Sequence, residues 1–362
     1  DRFVLSGGHG SMLLYTMLYL TGYPMTIEDL SRFRQLGSIT PGHPEYGKTI
    51  GVETTTGPLG QGFTNAVGMA IAESHLAAEF NRPDLKIVDH YTYVICTDGD
   101  LMEGVTSEAA SIAGHLKLNK LICIYDSNKI SIEGSTDLTF TENVGQRFEA
   151  YGWDVNTVED GNDVEAIDLA ISAARQTARP SLIICKTTIG FGLPTKAGSA
   201  SIHGSPVGWD ELSKAKENAG WPTEPLFYVP DDILNHFRLS VKKGEDDETS
   251  WQELFDVYKK AYPQLASEFE RRMSGSLPEK WEEALPTFPT DPKGMGSRVA
   301  SGKVINALAP IIPELIGGSA DLAPSNNTWM NDFAAFSAEQ PEGRNFHFGI
   351  REHAMAGIVN GL

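Results

Sequence analysis

Short apolar runs alternate with longer amphipathic segments through residues 1–240, and this alternation limits the possible folds most. Three runs are short and rich in apolar or β-branched side chains, as strands are: residues 91–96, 121–125 and 181–186. Three longer segments have helical periodicity: residues 62–80, 103–116 and 164–178. Strands and helices in this order predict a doubly wound, mainly parallel α/β sheet that is covered by helices on both faces.

The sequence pattern changes after residue 240, and a linker between two domains is predicted further along the chain. Residues 242–248 are charged and turn-like, and a helical segment follows them. Three prolines then occur close together before residue 293, and proline at that density does not suit helices or central strands. We therefore predict one domain at residues 1–273 and a linker at residues 274–295.

A second α/β unit is predicted at residues 296–362. It contains a helical run at residues 299–308 and a strand-like run at residues 314–317. Residues 357–362 stop inside a helical pattern, and residues 1–5 begin inside a predicted strand, whereas natural domain ends are usually polar and frayed. We therefore expect an incomplete second domain, in a fragment, a split subunit or a truncated reading frame.

Charge and composition exclude several classes of protein. The 362 residues carry 48 acidic against 29 basic side chains, and this formal charge of −19 argues against nucleic-acid binding. No apolar run reaches the roughly 20 residues of a membrane helix, and no signal peptide is recognisable. Cys96, Cys123 and Cys185 lie in apolar runs, which predicts buried thiols rather than disulfides. We expect a cytoplasmic protein without nucleic-acid or membrane partners.

Two of the predicted strands are followed directly by polar residues that suit a magnesium ion. Asp98 and Gly99 follow one strand, and Asn128 follows the next. Both loops lie at the carboxyl ends of a parallel sheet, where the Asp98 carboxylate, the Asn128 amide and the Ile130 carbonyl would supply oxygen ligands. Gly99 would let the backbone approach a diphosphate, and a helix that begins near Glu103 would direct its N-terminus towards it. The alternative is an ordinary Asp-Gly turn.

Seven further sequence blocks accompany this pair of loops. They are Ser6-Gly-Gly-His-Gly, Thr40-Pro-Gly-His-Pro-Glu, Thr56-Gly-Pro-Leu-Gly-Gln-Gly, Leu101-Met-Glu-Gly, Ser201-Ile-His-Gly, Gly317-Gly-Ser-Ala-Asp-Leu-Ala-Pro-Ser and Gly349-Ile-Arg-Glu-His-Ala-Met. In content and order, across nearly the whole chain, they resemble the transketolases, a family of enzymes that depend on thiamine diphosphate.

The resemblance implies that thiamine diphosphate and Mg²⁺ (or Ca²⁺) are the cofactors. It places the metal on Asp98, Asn128 and Ile130. It implies cofactor contacts for eight residues: His9, Gly57, Leu59, Gly99, Asn128, His203, Asp321 and Glu352. The first domain would bind the diphosphate, and the second would begin the pyrimidine-binding domain.

The resemblance also implies four catalytic residues. Glu352 would contact N1′ of the aminopyrimidine, and a glutamate in an apolar pocket has a raised pKa. The alternative for Glu352 is a helix N-terminal residue that stabilises the macrodipole. His9, His43 and His203 would share the removal of a proton from the donor's C3 hydroxyl, and the alternative for each is a structural histidine.

Further residues are implied to contact the substrate and to link active sites. His43, His203, Arg298 and Ser325 would contact the substrate, and the guanidinium suits a phosphate group. The alternative for Arg298 is a solvated surface charge. Glu103 and Glu108, about 1.4 turns apart if they share one helix, resemble carboxylates that join two active sites across a dimer interface as a proton relay.

Three positions depart from the family pattern. Thr97 stands where glycine is usual, Asp100 where an uncharged residue is usual, and Ala200 where histidine is common. We expect the extra carboxylate of Asp100 either to lie beside the diphosphate and weaken its binding or to point to solvent. The resemblance also implies that groups outside this sequence complete the active site.

The predicted reaction is the transfer of a two-carbon ketol unit from a ketose phosphate to an aldose phosphate, a step of the pentose phosphate pathway. A homodimer, or a complex with a complementary C-terminal chain, is implied. One alternative is a formaldehyde-accepting relative such as dihydroxyacetone synthase. A second alternative is a non-catalytic fragment, or half of a split enzyme.

Overall fold

A computed structural model describes all residues from 1 to 362, and these form two compact units. The first unit comprises residues 1–70, 90–246 and 357–362, and the second comprises residues 71–89 and 247–356. The helices are, in chain order, α1 (Ser11–Leu20), α2 (Ile27–Ser31), α3 (Gln61–Phe80), α4 (Asp98–Met102), α5 (Gly104–His115), α6 (Val144–Ala150), α7 (Val164–Ala174), α8 (Trp209–Asn218), α9 (Asp231–Ala261), α10 (Pro263–Met273), α11 (Ser297–Leu308), α12 (Ala323–Asn326) and α13 (Glu352–Gly361).

A parallel sheet of five strands organises the first unit. Its strands are β1 (Arg2–Leu5), β2 (Thr92–Thr97), β3 (Leu121–Ser127), β4 (Asp154–Val158) and β5 (Ser181–Lys186). They pair in the order β1-β2-β3-β5-β4, with every neighbouring pair parallel. This confirms the predicted mainly parallel α/β fold. Apolar side chains on the interior strands fill the core, as the complete burial of Ile122 and Ile183 illustrates.

The register of the sheet sets where the loops meet. Thr97 at the end of β2 pairs with Asp126 of β3, and Ser127 at the end of β3 pairs with Lys186 of β5. The carboxyl ends of these three strands therefore finish side by side. Polar residues that follow them in sequence are brought to one edge of the sheet.

The second unit contains a parallel strand pair, β6 (Gly317–Ser319) and β7 (Asn345–His347). Phe80, Phe255, Tyr258 and Phe269 form part of a buried aromatic cluster in this unit. Between α10 and α11 the only regular structure is one short 3₁₀ turn, Trp281–Ala284. The domain boundaries at residues 273 and 296 stay predictions.

The turn predicted at residues 242–248 is wrong, because α9 runs through it without a break. Lys242 Nζ lies 2.6 Å from Asp246 Oδ1 and 3.9 Å from Glu245 Oε2. Oppositely charged side chains one turn apart are neighbours on a helix surface, so the charges support the helix instead of ending it. A charged run was therefore mistaken for a turn.

Three strands also differ from the sequence prediction, among them β7 (Asn345–His347), for which no strand is predicted. β6 lies at Gly317–Ser319 rather than at residues 314–317, because the chain turns at residues 312–315, where the Leu315 N–H donates a hydrogen bond of 3.1 Å to the Ile312 carbonyl. β4 was not predicted at all. It is the edge strand of the sheet, and Asn156 and Thr157 are exposed, so it lacks the continuous apolar run that marks the interior strands.

The three cysteines are buried and free, as predicted from their apolar surroundings. Cys96 Sγ of β2 lies 3.1 Å from Cys123 Sγ of β3, inside the sheet core. None of the helices has both the length and the apolar composition that a membrane span requires.

Candidate cofactor site

A cavity of about 460 Å³ lies in the first unit, where the loops after β1, β2 and β3 meet. Seven of the residues that were singled out from the sequence line it: His9, Gly57, Leu59, Gly99, Asn128, Ile130 and His203. These residues are scattered over almost 200 positions of the chain. The sheet register and the loop paths therefore bring them together.

Gly99 allows a close approach between two walls of the cavity. A Cβ atom at Gly99 would lie 2.8 Å from Leu59 Cδ1, which is closer than real Cβ contacts. Any larger residue at position 99 would therefore displace Leu59, which lines the same cavity. The pair fixes the local width of the cavity and keeps the start of α4 accessible.

His9 and His203 lie against each other on the cavity wall. Their ring centroids are 4.9 Å apart and their planes are inclined by 31°. Partial burial in the cavity lowers the pKa of His9, and the neighbouring His203 lowers it further. His9 is therefore a neutral imidazole near pH 7, able both to accept and to donate a proton.

His43 is exposed and lies beside the glycine loop. Its ring Cγ is 3.6 Å from the position that a Cβ on Gly57 would occupy. His43 is therefore adjacent to one wall of the cavity without being part of its lining.

Asp98 is the first residue of α4 and is almost completely buried, with 3% of its surface exposed. Its Oδ1 accepts a hydrogen bond of 2.6 Å from the Tyr125 hydroxyl, and its Oδ2 accepts one of 3.2 Å from the Lys129 backbone N–H. Burial raises the pKa of Asp98, and the hydrogen bonds from Tyr125 and from the backbone N–H groups of Lys129 and Asn128 lower it only in part. A buried carboxylate with neutral partners is stabilised by a nearby cation.

Two hydrogen bonds orient the Asn128 amide, one that its oxygen accepts and one that its nitrogen donates. Its Oδ1 accepts a hydrogen bond of 2.9 Å from the Ile130 backbone N–H, and its Nδ2 donates one of 3.3 Å to Asp126 Oδ2. The Asp126 carboxylate also accepts a hydrogen bond from the Thr187 hydroxyl, which follows β5. Each lone pair of Asn128 Oδ1 that is not used by Ile130 remains for a ligand.

The donor set fits a hard divalent cation held together with phosphate groups. Asn128 and Ile130 offer an amide oxygen and a backbone carbonyl on the wall of the 460 Å³ cavity, and Asp98 offers a carboxylate on the wall of a second cavity. Mg²⁺ is usually held by one or two protein carboxylates, with phosphate and water oxygens completing its octahedron. The residues present therefore fit a magnesium-diphosphate group.

Asp100 does not behave in either of the ways that the sequence suggested. It neither lines the cavity nor points to solvent, and its exposed fraction is 0%. Oδ1 accepts hydrogen bonds from Ser6 Oγ (2.7 Å) and from the Gly60 N–H (2.8 Å). Oδ2 accepts from the Thr97 N–H (2.9 Å) and hydroxyl (3.0 Å), which caps α4. Thr97 and Asp100 thus form one structural unit.

Glu103 and Glu108 are predicted to lie on one helix, but the structure separates them. Glu103 stands between α4 and α5 as the residue that caps α5, and its side chain is exposed. Glu108 lies within α5 and is half-buried. Glu103 therefore precedes the first residue of α5, and only Glu108 belongs to this helix.

The second unit carries the remaining residues that the resemblance implied. Arg298 Nη1 lies 3.5 Å from Ser325 Oγ, so these two are brought together. Asp321 is exposed and has left-handed backbone geometry, with φ of 61°. Glu352 is the first residue of α13 and is exposed, so the apolar pocket expected around it is not formed by this chain.

Tyr125 and Asp126 contact the proposed ligands, and Thr187 contacts Asp126, but none of the three is predicted from the sequence. A signal was present, because Tyr125 and Asp126 begin the polar Tyr-Asp-Ser-Asn segment at the end of β3. Thr187 gave no signal, because it approaches Asp126 only through the pairing of β3 with β5.

Comparisons with known proteins agree with this geometry. Residues 1–278 match the family model described as transketolase, thiamine diphosphate binding domain, and residues 293–362 match transketolase, pyrimidine binding domain. The chain is 54% identical over 362 residues to the transketolase of Halalkalibacterium halodurans and 53% identical over 364 residues to that of Bacillus subtilis. Each alignment covers 100% of this chain and 54% of the relative.

Solved structures give the same result. The transketolase from Leishmania mexicana superimposes with a TM-score of 0.97 at 49% identity, over 100% of this chain and 54% of that chain. The chain spans about half the length of the curated relatives it matches. With two family domains matched in succession and close relatives aligned over its full length, the chain belongs to the transketolase family.

Proposed function

We propose that this chain supplies the thiamine-diphosphate site of a transketolase, which transfers a two-carbon ketol unit from a ketose phosphate to an aldose phosphate. The observation that carries the proposal is the cavity at the carboxyl ends of parallel strands, where His9, His203, Gly99 and Asn128 meet. A transketolase from Pichia stipitis, 46% identical to this chain, was solved with sedoheptulose 7-phosphate, which supports sugar phosphates as substrates.

Asp98, Asn128 and the Ile130 carbonyl are proposed to hold Mg²⁺ (or Ca²⁺). The burial of Asp98 among neutral donors supports this assignment, because a cation would balance its charge. Gly57, Leu59 and Gly99 would lie against the cofactor. When bound, thiamine diphosphate supplies an electron sink for carbon–carbon bond cleavage.

His9, His203 and His43 are proposed to handle protons and to contact the donor. The neutral state of His9 supports a role as proton acceptor, because a protonated imidazole cannot accept. The His9 and His203 rings are close enough that a positive charge on one ring would disfavour protonation of the other. His43, beside the cavity wall, would meet the substrate hydroxyls.

Glu352 and Asp321 are proposed to contact the cofactor of another chain, in a cytoplasmic homodimer or in a complex with a complementary C-terminal chain. Both side chains are exposed here, so a partner would be needed to desolvate Glu352. Arg298 and Ser325 would bind the substrate phosphate, which suits their proximity. Glu103 and Glu108 would link the two active sites.

A second candidate function is a cofactor-binding half of a split enzyme, without turnover of its own. The observation that favours it is that Glu352 and Asp321, which the resemblance assigns to the cofactor, are both exposed in this chain.

Calorimetric titration of the chain with thiamine diphosphate and Mg²⁺, followed by a ketol-transfer assay, separates these proposals. Binding with turnover of a ketose phosphate and ribose 5-phosphate supports the first proposal, and binding without turnover supports the second. Absence of binding contradicts both. A strong preference for formaldehyde as acceptor would instead indicate a relative such as dihydroxyacetone synthase.

Asp98→Ala is expected to abolish metal-dependent binding of thiamine diphosphate, because it removes the only carboxylate of the proposed metal site. Asp160→Ala is the matched control, since Asp160 is a loop carboxylate bonded only to Asn162. The measurement is the affinity for thiamine diphosphate with and without Mg²⁺. An unchanged affinity of Asp98→Ala would refute the ligand assignment.

A further inference from the structure

Two consecutive residues of β3, Tyr125 and Asp126, each hold one of the side chains assigned to the metal. We propose that Tyr125 and Asp126 are positioning residues that fix the Asp98 carboxylate and the Asn128 amide for divalent-metal binding. This inference rests on the proposed function of the site. It adds residues that do not touch the metal but determine how its ligands are aimed.

Tyr125 acts on Asp98. Its hydroxyl donates a hydrogen bond of 2.6 Å to Asp98 Oδ1, and 4% of Tyr125 and 3% of Asp98 are exposed. The Lys129 N–H binds the other oxygen, Oδ2, at 3.2 Å. With both oxygens engaged from fixed positions, the carboxylate cannot rotate about its Cβ–Cγ bond, and its remaining lone pairs keep one direction.

Asp126 acts on Asn128 through an orientation constraint. An ionised carboxylate only accepts hydrogen bonds, so the Asn128 amide must turn its NH₂ towards Asp126 Oδ2, at 3.3 Å. The Ile130 N–H only donates, so the amide must turn its oxygen towards it, at 2.9 Å. Both hydrogen bonds require the same orientation of the Asn128 amide. They exclude the flipped orientation, in which the NH₂ group would face a cation.

Asp126 is itself fixed. The hydroxyl of Thr187 donates to its Oδ1 from the residue that follows β5. β3 and β5 pair with Asp126 opposite Cys185, so the contact is a direct consequence of the sheet register. The orientation of Asn128 therefore depends on two strands, and not only on its own loop.

The alternation of side chains along a strand explains how one strand serves both ligands. Successive side chains point to opposite faces of a sheet. Asp126 lines the cofactor cavity together with Asn128. Tyr125 instead lines a separate cavity of about 480 Å³, together with Asp98. The end of β3 thus reaches Asp98 from one face and Asn128 from the other.

Contacts behind a metal ligand commonly change metal affinity by about 10- to 100-fold when they are removed. We expect this range for Tyr125→Phe, which removes the hydroxyl and keeps the buried ring. The probe is Mn²⁺, titrated into the chain with saturating thiamine diphosphate, and free Mn²⁺ is counted by electron paramagnetic resonance. This readout does not depend on turnover.

Tyr258→Phe is the matched control for Tyr125→Phe. Tyr258 is fully buried, and its hydroxyl also donates a hydrogen bond of 2.6 Å, to the backbone carbonyl of Phe80 in the second unit. Both substitutions remove one buried hydroxyl, and only that of Tyr125 contacts a proposed ligand. Equal Mn²⁺ affinities of the two variants would overturn the role of Tyr125.

Two substitutions of Asp126 separate orientation from charge. Asp126→Ala removes the acceptor and is expected to weaken Mn²⁺ binding by about 10-fold or more. Asp126→Asn also removes the charge but keeps an oxygen that can accept from Asn128. Recovery of most of the affinity in Asp126→Asn supports positioning. An equal loss in both variants means that only the charge matters and overturns the proposal for Asp126.

The same titration distinguishes failure of the inference from failure of the proposed function. If the unsubstituted chain binds no Mn²⁺ with thiamine diphosphate, the metal site itself is wrong, and the inference falls with it. If the unsubstituted chain binds Mn²⁺ and all variants bind it equally well, the proposed function stands and only the positioning roles are rejected.

Discussion

Asp98 and Asp100 stand two residues apart after β2, and both are buried, with 3% and 0% of their surface exposed. Asp98 accepts hydrogen bonds from the Tyr125 hydroxyl and from the backbone N–H groups of Lys129 and Asn128, and it lines the cavity that Tyr125 also lines. Asp100 accepts four hydrogen bonds and caps α4. An ionised carboxylate has about four lone-pair positions, so Asp100 is saturated and Asp98 is not. The number of partners, and not burial, separates the structural carboxylate from the proposed ligand.

The protonation of His9 provides a test at the same scale. We expect His9 to titrate below the usual pKa of 6.5, because burial in the cavity and then the charge of His203 disfavour the imidazolium form. His9 should therefore be neutral at pH 7 and lose its ability to accept a proton only as the pH falls below 6.5. Titration by ¹H–¹⁵N nuclear magnetic resonance measures this directly.

A His203→Gln variant checks the cause of the shift. Removing the second imidazole should raise the pKa of His9, but only part of the way to 6.5, since burial is the larger cause. A His9 that titrates above 6.5 in the unsubstituted chain would contradict the neutral state on which its proposed proton-accepting role depends.

At the scale of elements, α5 packs through a close approach of its backbone at Gly114 to the backbone of Tyr151. A Cβ on Gly114 would lie 1.9 Å from the carbonyl oxygen of Tyr151, and the Trp153 indole packs beside it. The Trp153 indole N–H donates a hydrogen bond of 2.8 Å to the carbonyl of Ala110 in the same helix. The segment between α6 and β4 is therefore held directly against the α5 backbone.

Gly114→Ala is expected to lower the free energy of unfolding by about 2 kcal/mol, because the added methyl group forces this backbone contact apart. Gly104→Ala is the control within the same helix, since nothing lies within 4 Å of a Cβ there. That variant should be neutral or slightly stabilising, as alanine favours helices. Urea unfolding of both variants tests the difference, and equal stabilities would show that α5 can move.

At the scale of the whole molecule, the residues of the proposed active site are divided between the two units. His9, His203 and Asn128 line a cavity of the first unit, while Glu352 is exposed in the second. A homodimer that joins the first unit of one chain with the second unit of its partner would use both. This arrangement predicts a specific behaviour of mixed variants.

Asp98→Ala and Glu352→Gln are each expected to be inactive alone, because each affects both sites of a symmetric dimer. In a mixed dimer, one site would carry both substitutions and the other neither. Random mixing should therefore restore about a quarter of the activity of the unsubstituted dimer. The measurement is ketol transfer after mixing and reassociation. No recovery from two folded, inactive variants would contradict sites shared between chains.

Much of the fold was predictable because it depends on local patterns. The interior strands β2, β3 and β5 are apolar runs, and α3 and α7 have clear helical periodicity. The edge strand β4 is not predicted, because its exposed residues form no apolar run. The prediction interrupts α9 at charged residues that in fact pair along the helix. Both errors arise where solvent exposure hides the periodicity.

Residues of the candidate site were also predictable, because the sequence blocks that carry them resemble those of the transketolase family. His9, Gly57, Leu59, Gly99, Asn128 and His203 all line one cavity. Their geometric relations were not predictable, because residues distant in sequence become neighbours only through strand pairing. The contact between His9 and His203, across almost 200 residues, is one example.

The sequence by itself determined the parallel α/β architecture, the family and the loops that would hold a metal and a diphosphate. The architecture follows from hydrophobic periodicity, the two loops from polar residues directly after predicted strands, and the family from the resemblance of sequence blocks in content and order. Only the tertiary structure decided that Asp100 is a saturated cap and that Tyr125 and Asp126 hold Asp98 and Asn128. Hydrogen bonds are directional and short, so they depend on the register of β2, β3 and β5, which local sequence patterns do not specify.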